Sequence, residues 1–200
     1  MPHTALAPAD VFVRRSNLRR LAFLLLGAGA AVLLAVFVLV GVRTATAEAS
    51  APFLPDASSG HVAEGTVVTL ADASLPAIAK LDPALLEALR LAEADALADG
   101  IRFEVTSGWR SDRYQQWLLE DAIERYGSEE TARRFVATPD ASRHVTGDAV
   151  DIVPLDAQLW LSQHGWRYGL CQTYANERWH FELATAPGST CPEMKADAAS

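Results

Sequence analysis

Residues 142–152 read SRHVTGDAVDI, and the fold turns on what this stretch becomes. His144 and Asp151 stand seven positions apart, with Gly147 between them to let the chain turn sharply. In the DAVDIVP that follows, alternation puts Asp148, Val150 and Ile152 on one face of a strand. Ala149, Asp151 and Val153 take the other. Asp151 then sits among apolar neighbours on a mostly buried strand, where an ionised carboxylate needs a partner or a metal. The same letters also suit an ordinary loop running into a strand, so the choice rests on the rest of the chain.

A second segment, ERWHFEL at 177–183, reads as another short strand. In it His180 alternates with Trp179 and Phe181. Taken alone, a single histidine on such a strand is more often structural than a ligand. Taken together, His144, Asp151 and His180 make a three-ligand set that leaves one position open for water, the arrangement of catalytic rather than structural zinc. Glu177, three residues before His180, is placed to act on that water as general base and proton donor. Its bland alternative is a solvated surface glutamate. The remaining histidines carry less: His3 lies near the start, His61 falls in or near a linker, and His164 suits a helix C-terminus, where it would cap.

The other elements frame an α+β domain built on a small antiparallel sheet flanked by helices. Asp82-Pro83 opens a helix with apolar positions at Leu85, Leu86, Leu89 and Leu91, ended by Gly100. A strand is expected over 101–107, running into Ser107-Gly108-Trp109-Arg110-Ser111, whose last serine can cap the next helix. That helix is expected over 112–125, a shorter one over 129–136, a loop through ATPDASRHVTG, and a helix from Asp156 to Gln163.

Toward the start, 21–42 is a run of 22 residues without a charge. As a helix it spans ~33 Å, enough to cross a hydrocarbon core. Arg14, Arg15, Arg19 and Arg20 precede it and only Arg43 closely follows, so the expected topology is single-pass in the plasma membrane, with 1–20 cytoplasmic and the bulk outside. Ala45-Thr46-Ala47 resembles a cleavage site and offers a secreted alternative; the length of the run favours an uncleaved anchor. The small, polar, proline-containing composition beyond it reads as a stalk over 43–75, with the domain proper at 76–200.

Five of the 17 basic residues and one of the 25 acidic residues precede residue 44, leaving a formal charge of −12 on the remainder. Such a surface does not suit nucleic acid. The two cysteines, Cys171 and Cys191, both fall in the exported part, where an even count favours a disulfide that pins the tail onto the domain.

The pattern S-x-H-x-x-G-x-A-x-D (Ser142, His144, Gly147, Ala149, Asp151), followed by E-x-W-H (Glu177, Trp179, His180), resembles the D-alanyl-D-alanine carboxypeptidases of the vancomycin-resistance type. These are zinc metallopeptidases related to lysostaphin-type enzymes and the hedgehog domain. Upstream, SGWRSDRYQ resembles their S-G-Y-R-S-x-x-x-Q, with Trp109 in place of tyrosine. The resemblance implies zinc on His144, Asp151 and His180, with Glu177 as catalytic base. It implies that Arg110 holds the terminal carboxylate of a peptidoglycan stem peptide ending in D-alanine, with Gln115 and Ser142 positioning the peptide. Trp109 and Arg178 are expected near the substrate groove. A metal-containing module that binds wall peptides or a protein without cleaving them is the alternative; such a module has no need of Glu177.

Overall fold

The computed structural model describes residues 52–200; the apolar run at 21–42 and the segment before it lie outside these. Among the described residues, no helix is long and apolar enough to cross a membrane. Four strands form one antiparallel sheet: β1 (Glu104–Ser107), β2 (Ala149–Val153), β3 (Leu170–Gln172) and β4 (His180–Leu183), in the order β1-β2-β4-β3. The central pair has Val150 opposite Phe181 and Asp151 opposite His180.

The two faces of the sheet have different jobs. Val105, Val150, Ile152 and Phe181 point into the main core with Phe103 and Leu170. Helix α2 (Pro83–Ala98) covers that face with a stripe of Leu85, Ala88, Leu89, Ala92 and Ala96, a helical spacing of three and four. Asp82 caps it, its carboxylate accepting from the backbone of Ala84 and Leu85, and Pro83 takes the first position, where no amide hydrogen is required. Leu161, Trp160 and Ala157 of the later helix Leu155–His164 complete this layer. Each large side chain so buried contributes on the order of 2 kcal/mol over exposure, which fixes the register of the central strands. A one-residue slip would turn Val150 and Ile152 outward and Asp151 into the core.

Helix α1 (Pro76–Ala79) precedes α2. Helix α3 (Asp112–Tyr126) is capped by Ser111 and ends at Gly127; it packs on α4 (Glu129–Ala132) through Leu119, Ala122 and Ala132. Helix α5 (Arg143–Thr146) is a single turn within the stretch expected to be loop, and α6 is the helix Leu155–His164. His164, expected to cap α6, instead packs its ring on Trp160 at 4.9 Å, and the backbone amide of Gly165 closes the helix end.

The expected stalk over 43–75 does not hold for its second half. Ser59, Val68 and Leu70 are buried, Val105 donates its amide to Val68 at 2.7 Å, and Ser111 donates to Ser59 at 2.9 Å. The cause is a period-two pattern in Thr66-Val-Val-Thr-Leu70: Val68 and Leu70 turn inward while Val67 stays 65% exposed. Cys171 on β3 is bonded to Cys191, with the two Cα atoms 5.7 Å apart.

Candidate metal centre

Gly147 answers the question posed by residues 142–152. It ends α5 in the left-handed region at φ 82°, and a Cβ there would lie 2.4 Å from the carbonyl oxygen of Lys80. Only glycine combines that dihedral with that approach. The turn sends the chain straight into β2, so His144 and Asp151 reach the same spot from a helical turn and a strand.

Three ligand atoms meet there. His144 Nε2 lies 3.2 Å from His180 Nδ1, and each lies 3.3 Å from Asp151 Oδ1. Zinc bonds of about 2.0–2.1 Å at the tetrahedral angle separate ligand atoms by about 3.3 Å, so this near-equilateral triangle fits the metal. The far side of each ring is already fixed. His144 Nδ1 donates to the carbonyl of Gly108 at 2.8 Å, and His180 Nε2 donates to Glu182 Oε1 at 3.0 Å. With both rings neutral, as zinc ligation requires, the two nitrogens inside the triangle present lone pairs. Asp151 Oδ1 is buried with no hydrogen-bond partner. Three such atoms at this spacing require a positive centre among them, a proton or a metal ion.

The metal-free electrostatics say the same. Burial alone would raise the Asp151 carboxyl, yet His144, His180 and Arg110 hold it well below the usual carboxylate range. Burial, aided by the charge of Arg110, lowers His144. Burial would also lower His180, but the carboxylates of Asp151 and Glu182 beside its two nitrogens prevail and push it up to about 9. Burial lifts Glu177 to about 7 against the pull of His180.

Glu177 faces the triangle without joining it. Its Oε2 lies 3.8 Å from His180 Nδ1, and its buried Oε1 has no partner. Both it and the triangle border one cleft of about 180 Å³, together with Ser142 and Arg110. The Ser142 hydroxyl makes no capping bond to its own helix, so it is available to the cleft.

Arg110 is more engaged than the sequence suggests. Nε donates to Ser107 Oγ at 2.7 Å, Nη1 to Gln115 Oε1 at 3.1 Å, and Nη2 to Asp151 Oδ2 at 2.9 Å. Asp151 thus divides its carboxylate, one oxygen in the triangle and one on the guanidinium. Of the five guanidinium N–H groups two remain. Gln115 is 1% exposed, and its amide joins Arg110 to the Ala137 carbonyl at 2.8 Å. Gln115 therefore braces Arg110 while lining the same cleft. Trp109 and Arg178 do not border the cleft. Trp109 lies under Lys80, whose Nζ is 3.7 Å from its ring, and Trp179 takes the rim at 42% exposure.

Two functional neighbours escaped the sequence reading. Glu182 orients His180 while accepting from Thr173 at 3.0 Å and pairing with Arg143 at 3.4 Å. The His-Phe-Glu alternation already puts it on the His180 face. Tyr174 packs its ring 5.0 Å from that of His180, a placement that no local pattern announces.

Residues 78–186 match the family described as VanY, D-alanyl-D-alanine carboxypeptidase. A D-alanyl-D-alanine carboxypeptidase of Enterococcus faecalis (strain ATCC 700802 / V583) is 27% identical over 120 residues, 48% of this chain and 45% of that protein. The chain therefore spans under half the length of this relative. Two solved structures share the fold at a TM-score of 0.50. One is the vancomycin-resistance D,D-pentapeptidase VanY from a VanB-type resistance cassette, a glutamate-to-alanine mutant in complex with Zn(II); it is 23% identical over 65% of this chain and 85% of that one. The other is VanYB in complex with D-alanine-D-alanine, 22% identical over 65% and 84%.

Proposed function

The chain belongs to the VanY family of D-alanyl-D-alanine carboxypeptidases, and from that premise we propose that it is a zinc-dependent carboxypeptidase that removes the C-terminal D-alanine of peptidoglycan stem peptides. One observation carries the reading: three lone-pair atoms of His144, Asp151 and His180 converge beside the unpartnered Oε1 of Glu177 in a single cleft. His144, Asp151 and His180 would hold zinc, which would supply Lewis-acid polarisation of a scissile carbonyl and of the attacking water.

Glu177 handles the proton. Burial raises the Glu177 carboxyl to about 7 in the metal-free protein, and the charge of bound zinc would draw it back toward the ionised form that accepts a proton. It accepts the proton of the attacking water and delivers it to the nitrogen of the departing D-alanine as the carbon–nitrogen bond breaks. Ser142 offers its hydroxyl to the peptide. Arg110 turns its two remaining N–H groups to the terminal carboxylate, a charge-assisted contact that selects a free C-terminus. Gln115 keeps that guanidinium in place. The apolar run at 21–42, with arginines ahead of it, supports a domain anchored outside the plasma membrane, beside the wall.

The test is zinc content of the purified chain together with release of D-alanine from a stem pentapeptide. One zinc per chain with release supports the reading. Zinc without release from that peptide or a tetrapeptide points to a binding module, and absence of bound zinc overturns the site.

A further inference from the structure

The family match ends at residue 186, yet the segment beyond it reaches the cleft. Ala198 borders the same cavity as Glu177. The tail is tied down at three places along the way. Cys191 is bonded to Cys171, the middle residue of β3. The backbone of Lys195 brackets Tyr174, donating to Thr173 and accepting from Ala175, both at 2.9 Å. Asp197 Oδ2 accepts from Arg134 Nε at 2.9 Å.

Arg134 closes the ring of contacts. Its backbone carbonyl accepts from Asn176 Nδ2 at 3.0 Å, immediately before Glu177. Arg134 also leads into Phe135–Ala137, which line the cleft together with Tyr174 and Glu177. The tail and Arg134 therefore join these lining segments at the loop that carries Glu177. That loop needs holding. Neither oxygen of Glu177 makes a hydrogen bond that would aim it; Oε1 is unpartnered and Oε2 stands 3.8 Å from His180. Apart from the packing around this buried side chain, the backbone of residues 173–177 places the carboxylate.

We propose that the disulfide-pinned tail is a clasp in which Asp197 and Arg134 act as positioning residues, fixing the Glu177 loop relative to the metal triangle. The proposal rests on the carboxypeptidase reading for its catalytic consequence, but the clasp itself is a mechanical claim with its own measurement. The pair is mostly exposed on the arginine side, 61% against 13% for Asp197, and exposed ion pairs contribute little to global stability. A structural role alone therefore predicts small effects everywhere, whereas a positioning role predicts a local one.

The experiment compares the zinc-loaded full chain with Asp197→Asn, with the exchanged pair Arg134→Asp/Asp197→Arg, and with Cys171→Ser/Cys191→Ser. Backbone hydrogen exchange over 173–178 is read beside kcat and KM for D-alanine release. The clasp predicts faster exchange confined to that loop in Asp197→Asn and in the serine pair, unchanged zinc content, and kcat lowered about tenfold or more with KM held, since small misplacements of a reacting group are costly. The exchanged pair, which keeps the Arg134 backbone contact, restores both readouts. Unchanged loop exchange overturns the clasp, as does a change in KM alone. If the unaltered chain binds zinc but releases no D-alanine, the carboxypeptidase reading falls, and the exchange data still decide the clasp.

Discussion

Asp151 and His180 face each other directly across the β2–β4 ladder, and their ligand atoms lie 3.3 Å apart. Strand pairing, not a flexible loop, thus sets the spacing of two of the three groups that could hold a metal. Asp151→Asn removes a carboxylate that serves the triangle and Arg110 at once. The expected result is loss of stoichiometric zinc and, in the metal-free protein, a stability loss on the order of 3 kcal/mol from the largely buried Arg110 left unpaired. Chemical denaturation with metal analysis measures both; retention of tight zinc binding would speak against Asp151 as a ligand.

Glu177→Gln keeps the shape of the loop and removes the base. Zinc should stay at one per chain while D-alanine release falls by about 10²- to 10⁴-fold. A variant that keeps nearly full activity would transfer the proton step to another group.

Glu182 touches the centre only through His180 Nε2. Glu182→Gln should weaken zinc affinity by about 10- to 100-fold while leaving the far-ultraviolet spectrum intact, because a ligating imidazole depends on the partner of its other nitrogen. Competition against a chelator reads the affinity.

His180 gives the metal-free protein a definite pH response. Its folded pKa of about 9 lies above the ordinary 6.5, so its proton stabilises the fold fully below about pH 6.5, and that contribution is lost as pH rises through 9. Zinc competes for the same nitrogen. Between pH 6.5 and 9 the Tm of the metal-free chain should fall as its zinc affinity rises, and zinc binding at pH 7 should release a proton. Calorimetry in buffers of different ionisation enthalpy counts that proton; a count of zero is incompatible with the assignment.

Gly147→Ala forces a Cβ against the Lys80 carbonyl at a left-handed φ. The expected cost is at least 1 kcal/mol, with zinc affinity reduced because α5 and His144 must shift. Equal thermal stability and equal affinity in the variant would show that the turn tolerates a side chain.

The elements that were legible in the sequence are those whose signals are local. Strand alternation around Asp151 and His180, the Asp82-Pro83 helix start and the Ser111 cap each depend on a few adjacent residues. The 179–182 segment carries an apolar face (Trp179, Phe181) and a polar one (His180, Glu182), while Asp151 stands out as the one charge among apolar neighbours on its strand face. What was not legible depends on register across long stretches of chain. That Arg110 would bond Asp151, 41 residues away, and that Asp197 would bond Arg134, 63 residues away, follows from tertiary packing alone. Strand β3 is three residues long, too short to show a period. Residues 56–75 were hidden by composition, since the small and polar residues that suggest a linker surround the two side chains, Val68 and Leu70, that anchor them.

The divided carboxylate of Asp151 has one consequence beyond holding two neighbours. Among the described residues Arg110 alone donates to its outer oxygen, so any anion drawing on the free N–H groups of Arg110 takes a share of the charge that Asp151 otherwise enjoys. Asp151 then returns more electron density through its inner oxygen. Arrival of an anion at Arg110 and the acidity of the centre become two readings of one conversation, carried across a single carboxyl group.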